Sequence, residues 1–114
     1  MKPIYSFFYT YGPSEDYMSF LFSADELTQD VINNAIDHCK SIILDNYNKD
    51  KDLENRCREY EGDNFVEFGT SLEEDRDRQL NFLDEHRQEI LDTHRSPYIK
   101  YNQAGISKKE ILAL

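Results

Sequence analysis

Ile4-Tyr5-Ser6-Phe7-Phe8-Tyr9-Thr10-Tyr11, the breaker Gly12-Pro13-Ser14-Glu15-Asp16 and the run Tyr17-Met18-Ser19-Phe20-Leu21-Phe22 decide the fold class of this chain. Aromatic and β-branched residues favour a pleated, half-buried surface, and the turn residues between the two runs predict a β-hairpin. Period two places Tyr5, Phe7, Tyr9 and Tyr11 on one face, with Ile4, Ser6, Phe8 and Thr10 on the other. Both faces carry apolar mass. The expectation is that helices cover one side and that the tyrosines stay partly exposed on the opposite one. Tyr9 and Tyr11 then become candidates for partner contact, since tyrosine joins apolar area to a hydrogen-bonding tip.

Helical periodicity begins directly after the hairpin. Ser23-Ala24-Asp25-Glu26 has the spacing of a capping box, and Leu27, Val31, Ala35, Ile36, Cys39, Ile42, Ile43 and Tyr47 recur at three and four residues. Asn33, Asp37 and Lys40 fall outside that stripe. The polar run from Asn46 to Asp52 reads as a connection, followed by a shorter helix on which Leu53, Cys57 and Tyr60 share a face and which Gly62 ends. Asn64-Phe65-Val66-Glu67-Phe68 reads as a third strand. Ser71-Leu72-Glu73-Glu74 is a second capping box, opening a long helix over 72–94 that Pro97 cannot extend. Pro97-Tyr98-Ile99-Lys100-Tyr101 is a candidate fourth strand, and Ser107-Lys108-Lys109-Glu110 a box before a terminal turn of helix. The fold expected is α+β: a small antiparallel sheet, made of the hairpin and one or two further strands, packed against two long amphipathic helices in a single domain over 1–114.

Charge narrows the function classes. The chain has 114 residues, 23 Asp and Glu against 13 Lys and Arg, and a net charge of −10. Such an excess repels nucleic-acid backbones and anionic membranes, so neither is expected as a direct partner. With 39% hydrophobic and 13% aromatic residues the chain is expected to fold nonetheless. No apolar run approaches the roughly 20 residues that span a bilayer, and a cytoplasmic location with reduced Cys39 and Cys57 follows as the expectation.

The acids gather on the 72–94 helix. At about 100° per residue, Glu74, Asp77, Asp84, Glu85, Glu89 and Asp92 fall on one side, opposite Leu72, Leu80, Leu83, Ile90 and Leu91. Glu74 to Asp92 covers about 27 Å at 1.5 Å per residue, which gives one charge per roughly 4–5 Å against about 3.4 Å along a DNA strand. These carboxylates can therefore act as a loose imitation of a phosphate row. The competing reading is a solvated helix braced by Glu74 with Arg78, Asp84 with Arg87 and Asp92 with Arg95. Arg76, Arg87 and His94 project into the apolar side, where leucines would serve a purely structural stripe better. The acidic excess continues in Asp50 to Glu67, whereas Lys100, Lys108 and Lys109 tilt the C-terminal region the other way.

Catalytic signatures are poor. There is no Cys-x-x-Cys, no His-x-x-x-His, no Gly-x-Ser-x-Gly and no glycine-rich phosphate loop. A binding protein without cofactor or metal is expected, with a basic protein, such as a nuclease or other nucleic-acid-binding protein, as its partner. Small acidic proteins of phages and mobile elements that block restriction or CRISPR systems share this general character, although no motif ties the chain to them. An immunity protein or antitoxin against a basic nuclease toxin is the alternative. A structural protein with a tyrosine-rich homo-oligomer contact is the other.

Overall fold

The computed structural model describes residues 2–12, 16–66 and 71–109. Strand β1 (Ile4–Tyr11) pairs antiparallel with β2 (Asp16–Ser23) on one side and β3 (Gln103–Lys109) on the other, in the order β2-β1-β3. Helices α1 (Gln29–Glu61), α2 (Leu72–Glu85) and α3 (Arg87–Thr93) form a second layer. The chain is thus α+β, with helices packed on one face of a three-stranded antiparallel sheet.

The hairpin forms as its alternation demands, but the face it buries is the tyrosine face. Tyr5, Phe7, Tyr9 and Tyr11 are all buried, Tyr9 to 2% and Tyr11 to 9% exposure. This corrects the expectation that the tyrosines stay partly exposed. Ser6 and Thr10 weaken the opposite face, so the continuous aromatic row is the one that gains more from leaving water. Phe7 is fully buried and stacks on Phe20 at 5.2 Å, and Tyr5 stacks on Phe22 at 5.6 Å across the β1–β2 pair. Ile106 and Ala104 of β3 oppose Phe7 and Tyr9 in register and complete the sheet's share of the core.

Helix α1 supplies Ile32, Ala35, Ile36, Cys39 and Ile43, as the three-four spacing requires. Its start differs from expectation. Ser23 still belongs to β2, Ala24 N–H donates to the Pro3 carbonyl, and the cap is Thr28, whose hydroxyl accepts from Val31 N–H at 3.2 Å. The pairing of 3 with 24 holds Ser23 extended, so the Ser23 box never closes.

The connection expected at Asn46 to Asp52 is also absent, and α1 runs unbroken for 33 residues. No glycine or proline interrupts that run, and ion pairs along the helix support it: Asp52 with Arg56 at 2.8 Å, and Glu54 with Lys51 and Arg58 at 3.2 Å. Gly62 ends the helix at φ 57°, with its N–H donated to the Arg58 carbonyl. The buried residues of α1 stop at Ile43, so its distal half, with Leu53 and Tyr60 exposed, extends past the core. Cys39 is buried and Cys57 exposed on this one helix, about 27 Å apart at 1.5 Å per residue, which precludes a disulfide between them. Burial pushes the Cys39 thiol up to about 12.

Asn64 lies in a short 3-10 turn, and Phe65 and Val66 pair with no strand, which corrects the expectation of a strand there; Glu67 and Phe68 lie outside the described residues. The third strand comes from the C-terminal region instead. Ser107, Lys108 and Lys109 are extended and paired with Ser6, Tyr5 and Ile4, not a helix start. The stretch 97–101 is likewise not a full strand. Ile99 and Asn102 exchange two 2.9 Å backbone bonds around Lys100 and Tyr101, both at positive φ, closing a two-residue hairpin turn. Ahead of it, Ser96 N–H bonds the Ala104 carbonyl and Ile106 N–H bonds the His94 carbonyl, both at 2.8 Å, so 94–96 shields the outer edge of β3.

Candidate functional site

The box at Ser71 opens α2 as the sequence predicts, with the serine hydroxyl accepting from Glu74 N–H at 3.1 Å. The expected single helix over 72–94 is divided at His86, whose backbone (φ −105°, ψ 10°) leaves the helical range. Its imidazole packs at a tilt against the Phe82 ring, centroids 4.8 Å apart, and Nδ1 lies 3.0 Å from Glu89. No glycine or proline announces this break.

α2 runs antiparallel to α1, and two polar clasps fix the pair. At one end Arg87 donates to Asn33 Oδ1 and Asp37 Oδ1, each at 2.9 Å, and approaches Asp84 at 3.3 Å, while Lys40 Nζ reaches both Asp84 oxygens at 2.9 and 3.1 Å. At the other end Tyr47 donates to Glu73 at 3.0 Å, Lys51 joins Glu73 to Glu54, and Arg76 lies 4.5 Å over the Tyr47 ring. Arg76 and Arg87, anomalous on an apolar stripe, are thus ties between helices. Sequence reasoning placed Asn33, Asp37 and Lys40 outside the apolar stripe of α1 and gave them no partner. Their shared spacing with Arg87 and Asp84 becomes readable only once the helices are known to be antiparallel.

Partial burial alone would raise the Asp84 carboxyl, but hydrogen bonds from Lys40 and Arg87 outweigh it and hold the group below its ordinary range. At Glu73 the hydrogen bond from Lys51 leads, followed by the backbone and Tyr47, and the carboxyl is held down to about 2. Both shifts depress a folded-state pKa. Their stabilising share is therefore complete above the ordinary carboxylate range, about 4, and is lost as pH falls through the folded values. The melting temperature should fall between about pH 5 and pH 2, and Glu73→Gln should flatten that descent while lowering stability at neutral pH. An unchanged acid slope in the variant would refute the assignment. The Glu73 side chain is substantially exposed, so screening by water keeps its share small.

All six carboxylates expected on the acidic side, Glu74, Asp77, Asp84, Glu85, Glu89 and Asp92, are exposed. They are not equivalent. Asp84 is neutralised by Lys40 and Arg87, Asp77 pairs with Arg76 at 2.9 Å, and Glu89 faces His86. Glu74, Glu85 and Asp92 have no ion-pair partner among the described residues. Of the three bracing pairs expected along the helix, Asp84 with Arg87 forms, and neither Glu74 with Arg78 nor Asp92 with Arg95 lies within 4 Å. The surface gains further acids from α1, where Asp30, Asp45 and Asp50 are exposed.

Tyr9 and Tyr11 lie in the core against α2. Tyr9 donates to Gln79 at 3.3 Å, and Tyr11 to Asp75 at 3.0 Å, with its own pKa raised by burial and by that carboxylate. With Tyr47, Asp75, Arg76 and Gln79 they line a cleft of about 390 Å³ whose polar groups largely bond one another. The exposed aromatics are others. Tyr17, Tyr98 and Tyr101 stand at 65%, 61% and 55% exposure on the far side of the sheet, where Arg95 lies 5.8 Å over Phe8. Strand parity alone could assign Tyr17 to that side, but Tyr98 and Tyr101 reach it through a turn that sequence reasoning read as a strand.

The outer sheet face differs electrically from the helices. Register places Ile4, Ser6, Phe8, Thr10, Tyr17, Ser19, Leu21, Ser23, Gln103, Gly105, Ser107 and Lys109 there, without one carboxylate. The acids of the described residues therefore concentrate in the helical layer, where Lys40, Lys51, Arg76 and Arg87 offset part of them. Among the described residues no helix is long and apolar enough to cross a membrane. Comparison of the chain with family models, with curated proteins and with solved structures found no match to any of them. Function has to be argued from the surface itself.

Proposed function

We propose that the protein binds a basic partner through its helical layer and, by covering the partner's cationic surface, excludes nucleic acid from it. The observation carrying this reading is the exposed carboxylate row on α2 and α3, widened by the acids of α1 and backed by an outer sheet face that holds no acid among the described residues. Long-range attraction would speed encounter with a cationic protein and orient the helical layer toward it. The chemistry fits a nuclease or another nucleic-acid-binding protein, whether the biological setting is inhibition of a defence system or neutralisation of a toxin. Catalysis is not part of this reading. Tyr9 and Tyr11 have no part in the contact because they lie in the core.

Glu74, Glu85 and Asp92 are the positions to reverse, since they lie outside the clasps that hold the helices together. The protein immobilised and exposed to a lysate of its own organism should retain a cationic nucleic-acid-binding protein, identified by mass spectrometry. Added salt or duplex DNA should release it. Replacement of all three by lysine should weaken capture by about tenfold or more, as expected for three interfacial charges at roughly 0.5 kcal/mol or more each, with the circular dichroism unchanged. Equal retention by the parent and the reversed variant, or retention indifferent to salt, would sink the proposal.

A further inference from the structure

The sheet ends at β2, and that edge carries none of the usual protections. β1 pairs with β2 from Ile4 opposite Ser23 to Tyr11 opposite Asp16 in unbroken register, so no bulge twists the edge away. Tyr17 to Ser23 contains no lysine, proline or carboxylate. Alternate backbone N–H and C=O groups of an edge strand point outward, and no hydrogen bond meets them there among the described residues. Leu21 stands 66% exposed beside them.

Below the edge the strip carries little charge. α1 lies under β2, with His38 edge-on to Phe20 at 4.7 Å and Cys39 Sγ 3.9 Å from Met18. Helical period puts Val31, His38 and Ile42 on this flank, away from the α2 clasps, with Asp45 and Lys49 following them toward the distal half of α1. In an antiparallel pairing centred near His38, Asp45 faces the Val31 end of the other copy rather than a second Asp45. Two copies of a chain carrying −10 each repel over most of their surfaces, and a contact through this strip avoids setting carboxylates against each other.

We propose that a second copy of the chain docks here, β2 against β2 in antiparallel, to give one six-stranded sheet with all helices on one face. Keeping the helices together requires a two-fold axis perpendicular to the sheet, so residues pair with partners of the same parity. An axis at Phe20 pairs all of Tyr17 to Ser23 and leaves Asp16 outside. It sets Phe20 against its own counterpart, Met18 against Phe22, and Ser19 against Leu21. Main-chain bonds supply the attraction and the Phe20 contact continues the buried aromatic row. This inference stands independently of the acidic-layer reading.

The register makes the test specific. Sedimentation velocity across the micromolar range should show a monomer–dimer equilibrium. Ser19→Lys with Leu21→Lys places like charges opposite each other twice and should weaken the dimer about tenfold or more. Ser19→Lys with Leu21→Glu places opposite charges at the same positions and should restore it. Both positions lie on the exposed side, and circular dichroism of each variant checks that folding is kept. A monomer at every concentration, a dimer indifferent to the double lysine, or a failure of the lysine–glutamate variant to recover would each overturn the proposal.

Discussion

Phe7→Ala should cost the protein a large part of its stability at room temperature. Phe7 is fully buried at the centre of β1, stacked on Phe20 and opposite Ile106 in the register of β3. Truncating a buried phenylalanine costs about 3–5 kcal/mol, through lost burial and the cavity left behind. Total stabilities of small domains are about 5–15 kcal/mol, so the loss takes a large part of the whole. Urea unfolding followed by far-ultraviolet circular dichroism should show the midpoint displaced to low denaturant. Leu21→Ala, on the exposed side of the neighbouring strand, should shift stability by no more than about 0.5 kcal/mol. Comparable losses at the two positions would mean that the assignment of inner and outer faces is wrong.

Gly105→Ala is the second large effect, for the opposite reason. A Cβ at this position would lie 2.8 Å from the His94 carbonyl oxygen and 2.8 and 2.9 Å from two Phe8 ring atoms. The ring can swing aside. The carbonyl cannot move freely, because it accepts the 2.8 Å bond from Ile106 N–H that holds 94–96 against β3. Overpacking of this kind costs about 1–3 kcal/mol, with the loss concentrated in the pairing of 94–96. Adding Phe8→Ala to Gly105→Ala would relieve the ring contact alone, so the double variant should recover no more than part of the deficit created by the methyl group. Full recovery in a double-mutant cycle would show that the carbonyl contact carries no cost.

How far the sequence speaks for itself varies by element. The hairpin was legible because two aromatic runs flank a Gly-Pro breaker, and the α2 cap because Ser71 precedes an acidic first turn. The direction of burial was not. Period two separates two faces without saying which meets the helices, and both carried apolar residues, so the tyrosines were assigned to the wrong side. In α1 the polar stretch after Asn46 mimicked a loop, since solvent-facing helix and loop share a composition until the four-residue pairing of acids with bases is weighed. Strand β3 was hidden because Gln103, Gly105 and Ser107 carry little β signal. They become a strand through β1, which offers them partners. For the acidic row, the exposed side and the pairing of Asp84 with Arg87 were legible from helical spacing, whereas the contact of Lys40 with Asp84 was not, because Lys40 sits on another helix.

The distal half of α1 has a consequence of its own. Beyond Ile43 the helix buries no side chain fully: Tyr47 ties it to α2, and past that residue the ion pairs of Lys51, Glu54, Asp52 and Arg56 support it. Helical order sustained by burial persists in brine, whereas order sustained by exposed charge pairs fades as ions screen them. One continuous rod therefore contains two materials. Its proximal part melts only when the whole domain does, and its tip can fray and re-form on its own, with ionic strength as the control.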